Sequence, residues 1–208
     1  MYSAFQELYI DEVIDSNPMT KVSRFKHIKA EPEPFTTSER EKILAQMTGY
    51  VRNLYEFAFW TGLRMSKLLA LEQCDIDLER KIVFVRKALV KGKIKGTKTK
   101  AGERNHQLHP QALSALKSQL AIIPHDHERI FLNPKTMQPW RDDRQIYNQC
   151  WVPSLKKSGI KYRTQYNTRH TYASTMLTEN MPIAWVAKQL GHSNATETLK
   201  TYARWMSE

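Results

Sequence analysis

Apolar residues recur at helical spacing from residue 3 to 14, with Phe5, Leu8, Tyr9 and Val13 on one side. Asn17-Pro18 ends that predicted helix. Residues 18 to 35 are polar, and Glu31-Pro32-Glu33-Pro34 disfavours helix before each proline, so the stretch reads as a linker. At Thr36-Thr37-Ser38-Glu39 a capping box predicts a fresh helix start, running to about Met47. An aromatic helix follows through Leu54, Tyr55, Phe57, Ala58, Phe59 and Trp60 until Gly62 breaks it, then a short one carrying Met65, Leu68 and Leu69. The pattern then changes. Residues 82–85, 88–90 and 105–108 read as strands, with glycines at 92, 96 and 102 between them. Helices resume at 110–122, 142–157, 169–179, 182–190 and 195–206, with Pro182 suited to a first turn and Gly191 to a C-cap. The expected fold class is α+β, mainly α: a helical domain with one small, three-stranded antiparallel sheet inserted.

Composition narrows the picture. At 41% hydrophobic and 25% charged residues, the chain is an ordinary globular sequence. Two cysteines, Cys74 and Cys150, argue against a secreted disulfide framework and for reduced thiols, and no CxxC or His-Cys cluster points to a metal. The start lacks the basic head and apolar run of a signal peptide, and no apolar run approaches membrane-spanning length, so a cytosolic location is expected. Charge is the informative quantity. Lys+Arg number 32 against 21 Asp+Glu, a net +11, which favours a polyanionic partner. Between Lys81 and Asn105 there are nine Lys/Arg and one acid, Glu103. A solvated hairpin and a nucleic-acid contact explain that stretch equally well. Lys91, Lys93, Lys95, Lys100 and Arg104 are its candidate DNA-binding residues. No RNP or KH pattern supports an RNA-binding reading.

Four segments carry candidate chemistry: Thr61-Gly62-Leu63-Arg64, Thr97-Lys98-Thr99-Lys100, Tyr166-Asn167-Thr168-Arg169-His170-Thr171, and Leu190-Gly191-His192 with Tyr202. Taken singly, each has a plain structural reading that outweighs the chemical one. Arg64 can cap a helix, Lys98 can be a solvated lysine, and Arg169 can sit in an ion pair. His192 can be a surface residue, and Tyr202 can be core beside Leu199 and Trp205. Together they meet one requirement, cleavage of a phosphodiester without metal. Two guanidiniums neutralise the non-bridging oxygens through forked hydrogen bonds. A histidine adds a donor to the developing charge. A lysine protonates the leaving oxygen, and a tyrosine attacks and holds the strand covalently.

The ordered series TGLR, TKT, RHT, LGH and Tyr202, with LGH ten residues before the TY pair's tyrosine, resembles the tyrosine recombinases, the phage-integrase family, from Thr36 to the end. The resemblance implies Arg64 and Arg169 as phosphate clamps, Lys98 as general acid, His192 at the second histidine position and Tyr202 as nucleophile. It implies a metal-independent DNA strand transferase needing no cofactor. Such an enzyme forms a 3′-phosphotyrosine on double-stranded DNA and exchanges strands through a Holliday junction. A full-length protein would act as a homotetramer and a fragment would be a monomer. Residues 1–17 resemble the last helix of a core-binding domain, 18–35 its linker, and 36–208 the catalytic domain. Six residues after Tyr202 leave little to pass to a neighbouring subunit. Two positions depart from the family. Tyr166 stands where a histidine is usual, which keeps a donor and loses imidazole's acid–base capacity. Lys67 stands where an acid is common, and a lysine there would repel the Arg64 guanidinium unless it swings to solvent. The leading expectation is the integrase of a phage or another mobile element, favoured over a type IB topoisomerase by size and by LGH. The alternative is a catalytically weak or inert DNA-binding remnant of the same fold.

Overall fold

The computed structural model describes residues 2–22, 31–96 and 103–206. Backbone proximity divides the chain into two units, Met1–Glu31 and Pro32–Glu208. In the first, helix α1 spans Tyr2–Ile10 and ends earlier than its apolar spacing predicts. Glu12 takes a left-handed conformation (φ 55°), which a helix does not continue through. Asn17 caps a 3₁₀ turn at Pro18–Lys21: its Oδ1 accepts from the Met19 amide at 2.9 Å, and its Nδ2 donates to Gln6 at 2.9 Å.

The second unit opens with the capping box. Thr36 Oγ1 accepts from the Glu39 amide at 3.2 Å, while Glu39 Oε2 accepts from the Thr36 amide at 2.9 Å. Helices α2 (Thr37–Leu44), α3 (Gly49–Thr61) and the short α4 (Met65–Leu68) follow. Strands β1 (Ile76–Asp77), β2 (Ile82–Val85), β3 (Lys87–Val90), β4 (Lys93–Gly96) and β5 (Arg104–Gln107) come next. The three-stranded antiparallel sheet is built in the order β1-β2-β5, with Val83 opposite His106 and Val85 opposite Arg104. Residues 88–90 do not join it. They pair with β4 in a separate two-stranded ribbon, Leu89 opposite Ile94. The cause is the turn: Lys91 and Gly92 both have positive φ (50° and 74°), the tight connection whose twist suits a hairpin.

Helix α5 (Pro110–Leu120) and a small ribbon of β6 (Leu132–Asn133) and β7 (Gln138–Pro139) lead to the expected helix at 142–157. That helix is α6 (Asp143–Ile146), a π-type turn at Tyr147–Trp151, and α7 (Val152–Ser158). The last three are α8 (Asn167–Thr178), α9 (Ile183–Leu190) and α10 (Ala195–Tyr202), with a 3₁₀ turn at Ala203–Trp205.

Two hydrophobic cores hold these helices. One gathers Phe35, Tyr55, Phe59 and Trp151, with Trp151 ring centroids 5.7 Å from Phe35 and 5.1 Å from Tyr55. The other gathers Tyr172, Met176, Val186, Leu190 and Tyr202, and Trp60 packs against both. Each such large side chain contributes about 1.5–3 kcal/mol on burial. Helix α8 lies against α3 as well as α9 and α10, and its buried residues therefore occupy nearly every face. That placement carries Arg169 into the interior.

Candidate active site

The turn after α3 is the first element of the site. Gly62 ends the helix in the left-handed conformation (φ 60°), and a Cβ there would meet Tyr172 Cδ1 at 2.5 Å. No other residue fits without displacing that ring. The Gly62 carbonyl accepts from Arg169 Nη1 at 2.9 Å, so the glycine turn also anchors the buried arginine. Arg64, two residues on, heads α4 with its side chain exposed. Arg64, Arg169, Tyr166 and Asp143 line one cleft of about 180 Å³.

Arg169 is 1% exposed, and its Nη2 donates to Nε2 of His192 at 3.0 Å. A guanidinium has no acceptor, so that nitrogen must accept, which leaves the imidazole proton on Nδ1. Nδ1 donates it to Thr198 Oγ1 at 2.7 Å. Burial pulls the pKa of Arg169 down; Tyr166 opposes that pull and the charge of Arg64 adds to it. Tyr202 is 2% exposed, and its hydroxyl lies 2.6 Å from His170 Nδ1. Burial raises the phenol's pKa well above its ordinary value, with Arg169 working the other way. The resting hydroxyl is therefore protonated at neutral pH. Tyr166, at 44% exposure, meets the edge of the His170 ring at a centroid distance of 5.1 Å.

Lys67 does not swing to solvent. It is 7% exposed, packed on the inner face of the four-residue helix that Arg64 heads. Burial, then the charges of Arg104, Arg64 and Arg169, hold its pKa down to about 8. Arg104 also points inward from β5, its Nε donating to the Gln189 carbonyl at 2.8 Å. Burial first, then Arg169 and Arg64, lower its pKa to about 10. Beside it His106 is fully buried and donates through Nδ1 to the same carbonyl at 3.3 Å. Burial and Arg104 push its pKa down to about 3, so it stays neutral.

The other candidates lie apart. Lys91, Lys93 and Lys95 are exposed on the β3–β4 ribbon. Lys98 and Lys100 lie outside the described residues. Sequence reading missed two residues. His170 sits four positions after Tyr166, one helical turn on, and that spacing was its available signal. Thr198 carried none. As for a metal, Glu72, Cys74 and Asp75 approach one another, but Glu72 is ion-paired with Lys87 and, at 3.0 Å, with Arg129.

Residues 33–208 match the sequence model of the phage integrase family. Prophage integrase IntR of Escherichia coli K12 is 29% identical over 223 residues, covering 96% of this chain and 54% of that protein. The chain thus spans about half the length of the curated relatives it matches. The Tn1549 transposon integrase, solved with a circular intermediate DNA, shares the fold: TM-score 0.79 at 21% identity, over 97% of this chain and 71% of that one. A lambda integrase tetramer bound to a Holliday junction aligns with TM-score 0.73 at 20% identity, over 94% of this chain and 57% of that one. Among the described residues, no helix is long and apolar enough to cross a membrane.

Proposed function

The chain belongs to the phage integrase family, and on that premise we propose that it is the catalytic part of a site-specific DNA recombinase of a phage or another mobile element. The observation that carries this reading is the linked pair of hydrogen bonds at the meeting of α8, α9 and α10. His170 holds the Tyr202 hydroxyl at 2.6 Å, and Arg169 holds His192 at 3.0 Å.

In the proposed step, a DNA phosphate enters between Arg64 and Arg169 and competes with His192 for Arg169 Nη2. The Tyr202 oxygen attacks phosphorus, its proton passes to His170 Nδ1, and the bond from phosphorus to the 5′ oxygen breaks. Lys98 protonates the leaving oxygen, and the strand is held as a 3′-phosphotyrosine. A 5′-hydroxyl from a second strand reverses the step and completes the exchange. The clamps act by meeting charge that grows in the transition state, the largest single contribution a site of this kind makes. His170 occupies the acid–base role that Tyr166, lacking imidazole, leaves open.

The Tn1549 integrase solved with a circular intermediate DNA and the lambda integrase tetramer solved on a Holliday junction support double-stranded DNA as substrate and a four-subunit assembly on a junction. The site of action that follows is the cytosol. The inert-remnant alternative has less support, because Tyr166 keeps a hydroxyl beside His170 and both clamp arginines are present. The test is a denaturing gel. Wild-type protein incubated with nicked duplexes from the locus around the gene should give a covalent protein–DNA band. Its absence, with DNA binding intact and a complete core-binding domain supplied, would favour the remnant.

A further inference from the structure

Among the described residues, one hydrogen bond holds Arg104. Its Nε reaches the Gln189 carbonyl, three residues before His192, while Nη1 and Nη2 are buried with no hydrogen-bond partner. Nε of Arg169 is buried without a partner as well. Unpaired donors of a charged group are costly inside a protein and are rarely tolerated without a use. Charge makes the arrangement stranger. The charged neighbours that weigh most on Lys67 are Arg104, Arg64 and Arg169, and those on Arg104 are Arg169 and Arg64. Among the described residues, no salt bridge engages Arg64, Arg104 or Arg169. The three arginines therefore stand close enough to repel one another with no salt bridge among the described residues to offset them, and Glu103 is the acid that lines the groove beside Arg104. Arg104 and His192 line a groove of about 370 Å³, and the hydrogen bond from Arg169 to His192 joins that groove to the cleft of Arg64.

We propose that Arg104 is a third phosphate-contacting arginine, whose two unpaired Nη groups donate to the same DNA phosphate that Arg64 and Arg169 clamp. The inference rests on the recombinase reading and deepens it. Because Nε alone anchors the guanidinium, the fork turns about that bond towards an anion without breaking another. The phosphate then supplies acceptors for donors that have none and a counter-charge for the whole cluster.

The experiment is a double-variant cycle on the 208-residue chain, read as affinity for a short mixed-sequence DNA duplex at fixed salt. Arg104→Met keeps the volume and removes the charge. It should weaken binding about tenfold or more, the scale of one charged hydrogen-bonded contact. Arg169→Met should do likewise, and the double variant should lose clearly less than the product of the two, because both arginines serve one phosphate. Arg104→Lys should fall between wild type and Arg104→Met. The melting temperature supplies the readout that separates contact from scaffolding. Arg104→Met should melt no lower than wild type, since it removes a half-buried, repelled cation whose Nη groups have no partner. Unchanged DNA affinity, or losses that multiply in full, would overturn the proposal. So would a lowered melting temperature with affinity preserved, which would make Arg104 a strut for the Gln189 turn. Failure of the covalent-adduct test would count against the recombinase reading and leave this cycle to judge Arg104 by itself.

Discussion

Lys91, Lys93 and Lys95 stand in water on a two-stranded ribbon, whereas Arg169 is 1% exposed and tied to Gly62 and His192 by bonds of 2.9 and 3.0 Å. Both regions are basic, yet they do different physical work. An exposed lysine keeps its hydration and its rotamer freedom, so it attracts a phosphate backbone weakly and at many geometries. A buried guanidinium has given up its water in advance. It is costly to hold, and it meets an anion with its direction already fixed. On the proposed reading, charge placed outside serves encounter and charge placed inside serves chemistry.

Five perturbations bear on that contrast. The largest falls on the inner site: Tyr202→Phe should abolish the covalent adduct on a denaturing gel and leave duplex binding nearly unchanged. Arg169→Ala should lower adduct formation roughly a hundred- to thousandfold, the scale of losing one preorganised donor. Normal cleavage by Arg169→Ala would mean that buried charge is not what drives the reaction. Next is Gly62→Ala, which places a Cβ at 2.5 Å from Tyr172 Cδ1 on a backbone with φ 60°. It should cost about 3–4 kcal/mol in chemical denaturation. A cost below about 1 kcal/mol would show that the turn relaxes freely.

Lys67→Met should work the other way. A pKa held down from 10.5 to about 8 means that the folded protein disfavours this proton, by an amount on the order of 2–3 kcal/mol. Below pH 8 both states keep the proton and the penalty is whole; between pH 8 and 10.5 the unfolded chain binds more, so stability from this group rises with pH. The variant should therefore exceed wild type most at pH 7, and its advantage should shrink towards pH 10. A constant advantage would assign the effect to packing. The smallest change belongs to the ribbon. Neutralising Lys91, Lys93 and Lys95 together should alter stability by only about 0.5 kcal/mol or less. It should flatten the salt dependence of DNA affinity by about one unit of log–log slope per lost phosphate contact. An unchanged slope would mean that the ribbon faces away from DNA.

Local signals carried much of this fold. Thr36 and Glu39 announce a helix start by chemistry that needs only four residues, and Gly62 and Gly191 stop their helices in the left-handed conformation that glycine favours. The ordered motif series likewise pointed to Arg64, Arg169, His192 and Tyr202. What stayed hidden depends on distant partners. Lys91 adopts positive φ without being glycine, so the turn that detaches β3 from the sheet leaves no clear mark in the sequence. A lysine and an arginine read as surface residues by default, and only the packing of α4 and β5 shows that Lys67 and Arg104 face inward. The His170 contact with Tyr202 spans 32 positions, and its geometry exists only once α8 and α10 meet.

The inward-facing hydroxyl of Tyr202 gives the unbound protein a kind of chemical quiet. Electrophiles that modify phenols meet Tyr162 and Tyr166, 56% and 44% exposed, while Tyr202 sits at 2%. The unbound protein is thus poorly reactive towards small acylating or phosphorylating agents at the Tyr202 oxygen. On the proposed reading, the hydroxyl reacts only once it is uncovered, so the DNA that it would cut is also what would have to expose it.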